Sequence, residues 1–77
     1  MSKFYYLQYN DYSKPERYNT LADAKQAYGE YVEDTENLGN TPLAATVHIA
    51  TSRSAIAEYP DYVLSVGPRG GIRLEKA

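Results

Sequence analysis

The chain has 77 residues, with eight basic and ten acidic side chains, a formal charge of −2 at pH 7 and no cysteine. That length holds one domain, the 43% apolar content is that of a globular chain, and the lack of cysteine excludes disulfides and thiolate metal sites. A weakly acidic chain also lacks the general basic field that draws proteins to nucleic acid.

Nine tyrosines stand against one phenylalanine and no tryptophan, so nearly every ring brings a hydroxyl that needs water or a partner. The longest apolar runs fall far short of the roughly 20 residues of a membrane-spanning helix. Met1-Ser2-Lys3-Phe4-Tyr5-Tyr6-Leu7 continues into polar residues without an extended apolar segment or a small-residue cleavage site. A cytoplasmic chain is the expectation.

Residues 4–9 alternate, with Phe4, Tyr6 and Gln8 on one face and Tyr5, Leu7 and Tyr9 on the other, which predicts a strand. Residues 10–15, ending in Lys14-Pro15, concentrate turn formers and predict a loop. A helix is predicted to start at Thr20, where Thr20-Leu21-Ala22-Asp23 supplies an N-cap hydroxyl and an acid three residues on. Leu21, Ala24, Tyr28, Tyr31, Val32 and Thr35 then share one stripe, opposite Asp23, Gln26, Glu30, Glu33 and Asp34. Gly29 weakens this helix by about 1 kcal/mol, so packing must hold it. Asn37-Leu38-Gly39-Asn40-Thr41-Pro42 is a stop signal.

From Leu43 to Ala50 the period changes to two, with Leu43, Ala45, Val47 and Ile49 on one face of a half-buried strand. After a turn at residues 51–54, residues 55–59 read as a short strand, with a helical turn capped by Ser54 as the alternative. Tyr62–Val66 and residues 72–75 read as further strands, joined by Gly67-Pro68-Arg69-Gly70-Gly71. The expected fold is α+β: one helix on a mainly antiparallel sheet of four to five strands, in the order β-α-β-β-β-β.

The chemistry-bearing residues do not assemble into an enzyme. His48 is the lone histidine and falls on the polar face of its strand, where a solvated side chain is expected. No serine lies in a Gly-x-Ser-x-Gly elbow, and neither paired histidines nor a calcium-loop spacing occurs. Neither catalysis, nor a metal, nor a cofactor is expected. The glycine-rich stretch at residues 67–71 lacks the Gly-Lys-Ser/Thr ending of a phosphate loop and reads as a hairpin turn with Arg69 at its tip.

Charge is uneven: residues 1–37 carry seven acids and four bases, net −3, and residues 38–77 carry three acids and four bases, net +1. Glu30, Glu33, Asp34 and Glu36 cluster without a base among them. Tyr28 and Tyr31 belong to the helix stripe, but Tyr5, Tyr9, Tyr12, Tyr18, Tyr59 and Tyr62 cannot all be inside so small a fold, and exposed tyrosine is enriched at protein interfaces.

The tyrosine-rich first strand, the helix start Thr20-Leu21-Ala22-Asp23-Ala24-Lys25-Gln26-Ala27 and the run of hairpins to the C-terminus resemble, in layout, small phage or mobile-element proteins that block host defence, especially anti-CRISPR inhibitors. The resemblance implies stoichiometric binding to the nucleic-acid channel or recognition surface of a CRISPR effector. Carboxylates can stand in for phosphates because both offer oxygen acceptors to Lys and Arg. Glu30, Glu33, Asp34 and Glu36 are the expected contacts, flanked by Tyr9, Tyr12 and Tyr62. The competing expectation is a nucleic-acid-binding accessory protein using Arg53, Arg69, Arg73 and Lys76.

Overall fold

The computed structural model describes residues 2–9 and 14–77. Its elements run β1 (Phe4–Gln8), β2 (Glu16–Tyr18), α1 (Leu21–Asn37), β3 (Ala45–Ala50), a 3₁₀ turn at Arg53–Ala55, β4 (Tyr62–Val66) and β5 (Ile72–Lys76). The five strands form one antiparallel sheet in the spatial order β2-β1-β3-β4-β5, with α1 packed across one face. The α+β class and the single helix on an antiparallel sheet are as the sequence predicts.

The fifth strand differs in place. Residues 55–59 are not a strand, because Ala55 N–H donates to Ser52 O at 3.1 Å and Ile56 N–H to Arg53 O at 3.3 Å, closing a 3₁₀ turn. Ala55 and Ala57 stay exposed, so their alternation buries nothing that would hold a strand. The missing strand is Glu16–Tyr18, which pairs with β1 through Tyr5↔Tyr18, Tyr6↔Arg17 and Leu7↔Glu16. Two of its three residues are charged, which suits a short edge strand that must not recruit other chains.

Helix α1 starts where Thr20 predicts. The Thr20 hydroxyl accepts from Asp23 N–H at 3.0 Å. It stops in a Schellman motif: Gly39 takes φ +79°, Gly39 N–H donates to Glu36 O at 2.9 Å and Asn40 N–H to Thr35 O at 3.0 Å. Ala24, Tyr28 and Val32 of its stripe are buried against Leu7, Ala45, Val47 and Leu64 of the sheet. Two cross-strand rows explain this core: Leu7–Val47–Tyr62, and Ala45–Leu64–Leu74.

Tyr28 is wholly buried, and its hydroxyl donates to Leu43 O at 2.7 Å. The Tyr31 hydroxyl accepts from Leu43 N–H at 3.0 Å. Two helix rings therefore grip both backbone groups of one loop residue. Leu43 itself lies outside β3 and is half exposed, so the strand starts two residues later than the alternation predicts.

At the other end of β3, Asp61 replaces the ladder. Its N–H donates to Val47 O at 2.8 Å, and its carboxylate accepts from Ile49 N–H at 2.7 Å. The sheet face away from α1 carries Tyr6, His48 and Ala50, all buried. His48 is 6% exposed, contrary to the solvated side chain expected from its polar face. It sits directly opposite Tyr6 of β1 and its Nε2 lies 3.4 Å from the Thr46 hydroxyl, while Nδ1 is buried without a hydrogen-bond partner.

Candidate functional site

The helix projects its acids outward. Glu30, Glu33, Asp34 and Glu36 are exposed, and the ion pair found among the described residues is elsewhere, between Arg73 and Glu75 on β5 at 2.6 Å. Glu30 and Asp34 are four apart, and Glu30, Glu33 and Glu36 succeed one another at intervals of three, so like charges face one another along the helix. The last turn carries no base, and its acids oppose the partial negative charge of the helix C-terminus.

Glu30 is the hinge of this surface. With Gln26 it lines two grooves: one of about 410 Å³ toward β2, shared with Arg17, Tyr18, Asp23 and Ala27, and one of about 540 Å³ on the other flank, shared with Lys25, Gly29, Glu33 and Ile72. Asp34 and Glu36 line neither groove.

On the β2 flank, carboxylates and phenols come within electrostatic reach. Tyr18 donates to Glu16 Oε2 at 2.8 Å. Its pKa is raised, first by burial, then by that hydrogen bond and the Glu16 charge, with smaller effects from Tyr9 and Glu30. Tyr9 is pushed up to about 12 by burial, then by the charge of Glu16 and the neighbouring Tyr31 and Tyr28. Its ring centroid lies 4.3 Å from that of Tyr31 and 6.3 Å from that of Tyr28. Tyr9 and Tyr18 thus hold their protons more tightly than a free phenol does, and the Tyr18 hydroxyl lies against Glu16.

Of the residues expected at a binding surface, Glu30 and Glu33 share one groove, whereas Tyr9 and Glu30 are linked only through Tyr18, which lies within electrostatic reach of both. Tyr62 lies on β4, half-buried in the row with Val47 and three strands away from β2. Tyr12 lies outside the described residues. Glu16 and Tyr18 were not legible as site residues, since nothing in the stretch before the helix marks a strand. The large exposed ring is Tyr59, at 79%.

In comparisons with known proteins, no family model, curated protein or solved structure matches this chain.

Among the described residues no group of three His, Asp or Glu side chains is placed to hold a metal ion, and the buried His48 has no carboxylate partner. No helix among them is long and apolar enough to cross a membrane. The C-terminal cations are dispersed: Arg73 is bound to Glu75, Lys76 is an odd number of residues away on the same strand and so on the opposite face, and Arg69 stands at the hairpin tip.

Proposed function

We propose that the chain is a non-catalytic inhibitor of the anti-CRISPR kind, which docks its acidic helix and the adjoining tyrosines on a basic nucleic-acid-binding surface of a host defence protein in the cytoplasm. The observation that carries this is the uncompensated charge of α1. Like charges three and four apart destabilise a helix by about 0.2–0.5 kcal/mol per pair, acids in its last turn work against the macrodipole, and among the described residues no ion pair engages them. A surface rich in Lys and Arg would do so. The carboxylates would raise the association rate, and the tyrosines would supply short-range contact area.

The test is capture of a partner from a bacterial lysate, followed by measurement of that partner's nucleic-acid binding with and without the chain. We expect stoichiometric loss of nucleic-acid binding that weakens as salt rises, and is itself weakened at least tenfold by E30K/E33K. A captured protein that binds nucleic acid equally well in the presence of the chain, or inhibition unchanged in E30K/E33K, rejects the reading.

A further inference from the structure

The sheet face away from α1 carries a second, oppositely charged feature. β2 places Arg17 beside Tyr6, and Ala50, the last residue of β3, pairs with Phe4 of β1. The chain leaving β3 therefore emerges next to the same two rings, and the 3₁₀ turn at Arg53–Ala55 turns it back. The result is a cleft of about 510 Å³ lined by Tyr6, Arg17, Thr51, Ser52 and Arg53. That volume lies within the roughly 300–1,000 Å³ of small-molecule sites.

Its chemistry is one-sided. Two guanidinium groups and two aliphatic hydroxyls line the cleft, and no carboxylate does. Neither Arg17 nor Arg53 has an ion-pair partner among the described residues. Glu16, the acid next to Arg17 in sequence, is engaged elsewhere: it points to the helix side and accepts from Tyr18. Arg17 is held in place, its guanidinium carbon 4.7 Å from the centre of the Phe4 ring.

The rings decide which anion fits. Single-stranded nucleic acid binds by stacking bases on exposed aromatics. Tyr6 is 4% exposed and one face of Phe4 is covered by Arg17, so the cleft offers donors without a stacking platform. Paired guanidinium forks match the oxygens of a phosphate group, and the Thr51 and Ser52 hydroxyls can add hydrogen bonds. We infer that the Arg17–Arg53 cleft binds the phosphate group of a small phosphate-bearing molecule, on the layer opposite the acidic helix.

The experiment is an NMR titration of the intact chain with inorganic phosphate and with AMP, and with adenosine as the uncharged control. Saturable shifts at the Arg17, Thr51, Ser52 and Arg53 amides are expected with both phosphate compounds and not with adenosine. Tighter binding of AMP than of phosphate identifies a nucleotide as the source, and equal binding identifies the free anion; either supports the site. R17Q and R53Q should each weaken binding at least tenfold, while R69Q, at the remote hairpin tip, leaves it unchanged. R53Q, at an exposed position, keeps the test valid if loss of the Phe4 contact disturbs R17Q. Shifts equal to those of sodium chloride at matched ionic strength, binding unaltered by R53Q, or adenosine binding as well as AMP, each overturns the inference. So does a dephosphorylated single-stranded oligonucleotide that binds through these residues when phosphate does not.

Discussion

A residue with an unremarkable side chain, Leu43, is held more firmly than its exposure implies. Its carbonyl accepts from Tyr28 and its N–H donates to Tyr31, so the loop after α1 is tied to the helix by two phenols. Removing only the Tyr28 hydroxyl should cost about 1 kcal/mol, the usual worth of one such bond. Removing the ring in Y28A empties the centre of the core and should cost about 3–5 kcal/mol. Urea denaturation of Y28F and Y28A checks both, and a Y28F midpoint equal to that of the parent would show that the hydroxyl tethers nothing. This use of tyrosine explains part of the skewed composition. Where phenylalanine would supply packing alone, Tyr28 and Tyr31 supply packing and the partners of a loop backbone.

At the scale of elements, α1 was legible because several local signals coincide: the Thr20 cap, the Ala24–Tyr28–Val32 stripe and the Gly39 stop all appear as written. β2 was not, because an edge strand of three residues is recruited by the backbone of β1 and needs no pattern of its own. Residues 55–59 misled for the converse reason: small apolar residues alternate there without a neighbouring face to cover them. The acidic face was likewise visible in helical spacing, whereas the Arg17–Arg53 cleft joins residues far apart in the chain and only the topology assembles it.

The two helix-associated glycines should respond oppositely to alanine. At Gly29 a Cβ would meet nothing within 4 Å, so G29A should raise stability by about 0.5–1 kcal/mol through helix propensity and a less free unfolded chain. At Gly39 the positive φ disfavours any L side chain, so G39A should lower stability by about 1 kcal/mol. Thermal melts of the pair read this out, and a G29A variant less stable than the parent would contradict the open space beside it.

For the molecule as a whole, the clustered carboxylates of α1 and the Arg17–Arg53 cleft lie on opposite sides of the sheet. The phenols between helix and sheet give the fold an alkaline limit. Tyr9 is raised from its usual 10 to about 12, and Tyr18 and Tyr28 are raised as well, burial being the leading cause in each. A raised phenol holds its proton more tightly folded than unfolded, so its stabilisation is complete below pH 10 and is lost as pH climbs through 12. Denaturation midpoints should therefore fall steeply between pH 10 and 12, with native tyrosinate absorbance lagging that of the denatured chain. Coincident titration of the two states would contradict the burial of these rings.

The pairing of β1 with β3 has a kinetic consequence. Gln8 and Thr46, joined by a 3.4 Å hydrogen bond, are 38 positions apart, and the intervening chain includes the whole of β2 and α1. The β4–β5 hairpin and the helix can form from neighbouring residues, but the central ladder must close that span, at a loop-entropy cost of about 3 kcal/mol by length alone. The slow step of folding is thus placed in the middle of the sheet, where the N-terminal strand–helix unit meets the C-terminal strands. Until that meeting neither part owns a complete hydrophobic layer, and the molecule's cooperativity comes from one long-range seam.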